Sequence, residues 1–307
     1  MGAVCGNEPG VVFGAIVADH AASAKVVPMS APVVVAVPTI VIEPSKGWRA
    51  LDLRELWRYR ELVYFLAWRD VKVRYKQTAL GVAWVLLQPL LAMGIFSIVF
   101  GARGLTTNGI PYPLFVVSGL VPWFYFSNAT SGASGSIVGN TQLISKVYFP
   151  RLAIPLAAVL ANLIDLGVGL ALVLVLLIAF GVPLGLQLLA VPALVGLLVL
   201  TALGVSVWFA ALDVQYRDVR YAVPFFIQVW LFATPVIYAA SDVPERWRWL
   251  LALNPMTGII EAFRWSLLGS GDPPLAAVGG SALVVLALIA TGLVYFRRME
   301  RTFADVI

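Results

Sequence analysis

Five stretches of the chain contain no Asp, Glu, Lys or Arg: Gln77 to Ala102, Gly104 to Ser145, Leu166 to Leu212, Tyr221 to Ser241 and Pro273 to Phe296. They run for 26, 42, 47, 21 and 24 residues, and about 20 apolar residues in a helix suffice to cross a bilayer. Soluble domains keep charges at about a quarter of their positions; this chain has them at 12%, with 61% hydrophobic residues. Lipid offers no partner to an open backbone N–H or C=O, and a helix satisfies both internally. The expected class is an all-α, multi-pass integral membrane protein.

The residues needed for much soluble-enzyme chemistry are absent. One cysteine, Cys5, and one histidine, His20, exclude an intramolecular disulfide framework, Cys- or His-cluster metal sites and the usual Ser-His or Cys-His triads. No Gly-Lys dipeptide occurs, so there is no P-loop for ATP. The paired acids, Asp213/Asp218 and Glu245/Glu261, each have a basic neighbour. No metal-ligand spacing and no catalytic constellation is found.

Six transmembrane helices are expected, at about 81–100, 113–135, 152–180, 188–212, 222–238 and 275–296. The 47-residue run is divided by Gly181-Val182-Pro183-Leu184-Gly185. An even number puts both termini on one side. On this topology 16 Lys/Arg fall on the side holding the termini and four on the other, which makes the termini cytoplasmic. Residues 1–45, rich in Ala, Val and Pro with Lys25 the one basic residue, lack the basic start of a signal peptide. They are expected to be a flexible cytoplasmic tail, leaving 46–307 as the membrane domain.

Over 51–76, Arg54, Arg58 and Glu61 share one helical face and Leu56, Tyr59, Val63 and Leu66 the other, with Trp57, Trp68, Arg69 and Arg74 alongside. This predicts an amphipathic interface helix, acting as a topology anchor or also touching a cytoplasmic partner. The cytoplasmic segment from Gly139 to Arg151 carries Leu143, Ile144, Val147, Tyr148 and Phe149 around Lys146, more apolar surface than a connecting loop needs. It reads as a docking surface or as a loop lying in the headgroups. The loop from Asp213 to Arg220 suggests a helical extension with an Asp213/Arg217 ion pair.

The outer segment from Ala240 to Pro274 contains a helix start at Asn254-Pro255, followed by Met256, Ile259, Ile260, Phe263 and Leu267 against Glu261 and Arg264. A shorter helix with Trp247 and Trp249 precedes it. The two pieces form either a re-entrant hairpin before the last span or a surface-lying pair. Asp165, with Asn162 on the same face, is the acid expected well inside a span, for helix packing or for a pathway or gating role. Ser127, Asn128 and Ser131 give the second span a hydroxylated stripe suited to close packing or to a polar solute path. The preceding Trp123, Phe124, Tyr125 and Phe126 form an interface belt or a ring on which sugars stack.

Four blocks, RDVKVRYKQTALGVAWVLLQPL at 69–90, SKVYFPRLAIPL at 145–156, YRDVRYAVPFFIQVWLFATPVIY at 216–238 and LNPMTGIIEAFRWSLLG at 253–269, resemble the permease subunits of type-2 ABC exporters that carry lipid-linked polysaccharides: O-antigen, teichoic acid and capsule. The resemblance covers about Leu51 to the C-terminus. It implies a homodimer in the bacterial cytoplasmic membrane with two copies of a separate ABC ATPase, which binds the ATP and Mg; this chain binds no cofactor and no nucleic acid. It also implies that Gly139–Pro150, flanked by Arg151, is the coupling helix, that 51–76 is the family's interface helix, and that Val243–Leu268, with Trp247, Asn254, Pro255, Glu261 and Arg264, forms periplasmic gate helices. Trp123, Tyr125 and Phe126 are placed near a channel at the dimer interface. The alternatives are a type-2 exporter of a drug or small lipophile and, from another class, a membrane-embedded glycan transferase. The transferase would need clustered acids or a metal pair, and a secondary transporter more intramembrane charges.

Overall fold

The computed structural model describes residues 53–76, 81, 83–101, 109–269 and 271–300, and every regular element among them is a helix. The tail expected over 1–45 lies outside the described residues. The chain begins with α1 (Leu53–Arg58) and α2 (Arg60–Lys76), separated at Tyr59; α2 is less amphipathic than expected, since Tyr64, Phe65 and Val73 are exposed beside its charges. Next come α3 (Ala83–Phe100), α4 (Tyr112–Ser134), and two short helices, α5 (Ser136–Gly139) and α6 (Thr141–Lys146). Then α7 (Ala153–Ala161) and α8 (Leu163–Ala179) follow one another across Asn162. The break has a local cause: Asn162 Nδ2 donates to the Ala158 carbonyl at 2.8 Å, competing with the helix's own ladder.

A 3-10 turn at Leu186–Ala190 runs into α9 (Val191–Gln215), followed by α10 (Val219–Ala233), α11 (Glu245–Leu253), α12 (Pro255–Leu268) and α13 (Leu275–Glu300). Four stretches are both long and apolar enough to cross a membrane: Ala83–Phe100, Ala153–Ala179, Leu186–Gln215 and Leu275–Glu300. Two of the six expected spans meet only half of that test. α4 has 23 residues, but its sequence is diluted by Ser, Thr, Asn and Gly. α10 is apolar but has 15 residues, about 22 Å of helix against roughly 30 Å of hydrocarbon. It stops early because Pro235 forces Thr234 out of the helical region, to φ −108°, ψ 137°.

α4 is the centre of the packing, enclosed by α3, α7, α8, α9, α10 and α12, while α9 also packs along α13. The same polar dilution that lowers its hydropathy allows close approach: a Cβ on Gly119 would lie 3.0 Å from Arg264 Nη2 and 3.2 Å from the Val236 carbonyl. α12 is not a surface-lying helix, since it is buried along nearly its whole length against α4, α9 and α13. Only α11, of the expected outer pair, is largely exposed.

Candidate functional site

After α4 the helix is cut into short pieces by its own side chains. Ser134 and Ser136 donate to the carbonyls of Ser131 and Ala133, Thr141 to that of Val138, and Asn140 Nδ2 to that of Ser136. Each bond offers the backbone an alternative to continuing α4. The resulting bend carries α6 across the ends of two neighbouring layers. Ile137, with Val138, Ile144 and Leu152, packs on Val207, Ala210, Val214 and Phe296, while Phe149, with Leu143 and Ile144, packs on Val63 and Leu66 of α2. Arg151 donates to the Glu300 carbonyl at 2.7 Å, tying the segment to the end of α13, and Arg69 Nη2 donates to Asn140 Oδ1 at 2.9 Å, tying it to α2.

This corrects the expected docking surface. Phe149 is 5% exposed and belongs to the core, and Leu143, Ile144 and Pro150 are half-buried, whereas Tyr148 is 69% exposed beside exposed Val147, Lys146 and Gly139. The free face of the segment is therefore a short patch of Lys146, Val147 and Tyr148. It sits on a support linked to α2, α7, α9 and α13.

α2 turns Val63, Leu66 and Val71 inward, and Val63 and Leu66 meet Phe149, Ala153, Ile154 and Ala157. Trp57, Arg58 and Trp68 are exposed; the Arg54 side chain lies outside the described residues. Arg74 points along α7 and α8, where Nη1 donates to Asn162 Oδ1 at 2.9 Å and pairs with Asp165 Oδ2. Tyr75 donates to the other oxygen of Asp165. Burial first, and then this hydrogen bond, pushes the Tyr75 phenol up to about 12, so it remains a donor. Asp165 is in the first turn of α8 and near the middle of the Ala153–Ala179 stretch, as expected, but it is paired and hydrogen-bonded rather than alone. Tyr75 was the missed residue, and its signal was a tyrosine at the end of an otherwise basic amphipathic segment.

Trp123, Tyr125 and Phe126 lie inside the helix packing, each 2% exposed or less. The Trp123 and Phe126 rings sit 5.5 Å apart, Phe126 meets Trp230 edge-on at 5.2 Å, and Tyr125 donates to the Val159 carbonyl at 3.3 Å. The rings expected to line an open wall instead brace α4, because three of the four face the enclosing helices. Asn128 is exposed and Ser127 and Ser131 are half-buried. Asn128 and Ser131, together with Arg74, Trp84, Gln88, Phe124, Tyr125 and Asp165, line a cleft of about 360 Å³ between α3, α4 and α8.

At the opposite end, Asn254 caps α12 by accepting from the Met256 N–H at 3.0 Å, with Pro255 at the first helical position. The same side chain accepts from Trp230 Nε1 at 3.1 Å and donates to Thr234 Oγ1 at 2.8 Å, closing the end of α10 onto the start of α12. Arg264, expected on an outer surface, is 7% exposed. Its guanidinium lies 3.7 Å from the centroid of the Phe115 ring and donates to the carbonyls of Phe115, Tyr238 and Val236. Tyr112 donates to the Ile237 carbonyl at 2.8 Å. The non-helical stretch after α10 therefore has its carbonyls supplied by side chains. Glu261 is half-buried and Trp247 exposed. At the other loop, Asp213 pairs with Arg220 at 3.2 Å rather than with Arg217, because α9 ends at Gln215. Among the described residues no three His, Cys, Asp or Glu side chains come together to hold a metal ion.

Long apolar helices packed around a central helix diluted by small polar residues define a multi-pass, all-helical membrane protein. Residues 61–268 match the ABC-2 type transporter family, and the chain belongs to that family. It is 32% identical over 262 residues to the O-antigen export system permease protein RfbA of Myxococcus xanthus, covering 83% of this chain and 98% of that protein. A protein of the same name from Klebsiella pneumoniae is 28% identical, over 80% of this chain and 95% of its own. The polysialic acid transport protein KpsM of Escherichia coli is 24% identical, over 76% and 91%.

Proposed function

We propose that this chain is the membrane-spanning permease subunit of an ATP-driven exporter that moves a lipid-linked polysaccharide across the cytoplasmic membrane of a bacterium. One observation carries the reading: relatives named for O-antigen export and for polysialic acid transport align over 98% and 91% of their own lengths. What those two cargoes share is a long, hydroxyl-rich polymer; a teichoic-acid-like polyol phosphate shares the same physical demand.

Such a polymer is far larger than the α3–α4–α8 cleft of about 360 Å³. Its path therefore runs between two copies of the chain. The faces that support a homodimer are α3, whose one buried residue is Pro89, and α10, which exposes Tyr221, Phe225, Phe226 and Phe232. Rings of this kind let sugars slide by stacking without holding any one of them tightly.

In this reading α4 and α10 join the four long apolar stretches to make six spans, with both termini cytoplasmic. The shortness of α10 is compensated by the stretch 234–239, since non-helical backbone is tolerated at membrane depth where protein supplies its partners. Arg264 and Tyr112 are those partners. α11 and α12 then act as a re-entrant outer gate. Two copies of a separate ATPase bind ATP and Mg and press on the patch at Lys146, Val147 and Tyr148; the support beneath passes the motion to α2, α7, α9 and α13.

The test is replacement of Val147 and Tyr148 together by Ala in cells carrying the partner ATPase. Surface polymer should fall at least about tenfold, the size expected when an exposed aromatic anchor is lost from a docking site, while the chain stays in the membrane at its normal level. Unchanged export with a normal amount of the double variant would remove the coupling assignment.

A further inference from the structure

The cleft between α3, α4 and α8 has a composition that packing alone does not explain. Arg74 is the one cation among the residues that line it, and both of its hydrogen bonds leave from Nη1. Nε and Nη2, the other edge of the guanidinium fork, have no partner among the described residues. On the facing walls Gln88, Asn128 and Ser131 have no side-chain hydrogen bond among the described residues either. Trp84 is among the residues that line it, and α3 also carries an exposed ridge of Leu87, Leu91 and Ile95, spaced four residues apart.

We propose that this cleft binds the phosphate group of a membrane amphiphile, and that the phosphate draws Arg74 away from Asp165. The unused edge of the fork has the geometry that grips two phosphate oxygens at once. Arg74 is the partner able to move, since its side chain is 40% exposed and that of Asp165 13%. Asp165 is not stranded when Arg74 turns, because Tyr75 still donates to it. Gln88, Asn128 and Ser131 supply neutral donors to the remaining oxygens, and the α3 ridge gives an apolar chain a track running along the span, across the bilayer. The site does not depend on the polymer, since an ordinary anionic phospholipid and an isoprenoid carrier phosphate present the same group.

The pair makes the proposal testable by sign. Full-length chain in detergent is titrated with phosphatidic acid and, separately, with farnesyl phosphate, and the bound fraction is read by native mass spectrometry. Diacylglycerol and farnesol serve as phosphate-free controls and inorganic phosphate as competitor. Arg74→Gln should weaken retention about tenfold, the loss expected for a charge-assisted hydrogen bond. Asp165→Asn should tighten it several-fold by removing the internal competitor. The Asn128→Leu/Ser131→Ala variant, which leaves the ion pair intact, should weaken it by a few-fold with an unchanged melting temperature. Preference for phosphatidic acid over farnesyl phosphate, or the reverse, identifies which source the site serves. Three results overturn the proposal: equal retention of the phosphate-free controls, Arg74→Gln and Asp165→Asn shifting retention in the same direction, or displacement by inorganic phosphate at the amphiphile's own concentration.

Discussion

α10 and α12 are nearly the same length, 15 and 14 residues, and both are apolar, yet the protein treats them in opposite ways. α12 buries all but two of its residues; α10 buries Val223 and Ile227 and turns Tyr221, Phe225, Phe226, Val229 and Phe232 outward. The difference lies in side-chain size. Gly258, Ala262 and Ser266 let α12 approach α13 and the turn before α9 closely enough for Ser266 to donate to the Gln187 carbonyl at 2.7 Å. The rings of α10 hold neighbours at a distance and leave a surface for lipid or for another copy of the chain. This protein's own packing is complete around α4 and α12 and open along α3 and α10.

The largest expected effect tests the closed side. A Cβ on Gly258 would sit 2.2 Å from the Ala277 carbonyl oxygen, a contact with backbone that cannot turn aside. Gly258→Leu should therefore cost more than about 3 kcal/mol, the upper end for overpacking, and should abolish the cooperative thermal unfolding of the purified chain. Arg264→Ala comes next: it strips the donors from three carbonyls, so a loss of about 3–5 kcal/mol in chain stability is expected, with Arg264→Lys recovering part of it. Phe149→Ala should cost about 3 kcal/mol by opening the α2–α7 layer. Tyr148→Ala, one residue earlier but exposed, should leave the melting temperature within about a degree or two and lower export instead.

The smallest effect on stability is the most informative about the open side. Phe225→Ala with Phe232→Ala should change the unfolding of the single chain by less than about 0.5 kcal/mol. Self-association, read by cross-linking in membranes, should fall sharply. If the pair destabilises the chain as strongly as Phe149→Ala does, α10 is covered by the chain's own packing and the contrast is lost.

Helix existence was readable because charge-free runs of this length leave few other folds. Depth and facing were harder to read. Asp165 looked isolated in the sequence because its partners, Arg74 and Tyr75, lie about ninety residues away on a helix assigned to the headgroups. Arg264 read as an outer charge because periodicity cannot reveal that the stretch before α11 would be non-helical and need its donors. Phe149 and Tyr148 are adjacent aromatic residues, and only the packing of α2 on α7 distinguishes them. The helix start at Asn254-Pro255 was legible, since capping chemistry is local.

As proposed, the chain is a conduit driven by a separate ATPase. The direct measurement is reconstitution into liposomes of the purified chain, with and without its partner ATPase, following ATP-dependent movement of a lipid-linked glycan across the bilayer. Transport is expected with both proteins and ATP, none with either alone, and loss of transport with normal complex formation when a non-hydrolysing ATPase is used. Nucleotide hydrolysis by the chain alone, or glycan movement driven by an ion gradient in the absence of the ATPase, would contradict it.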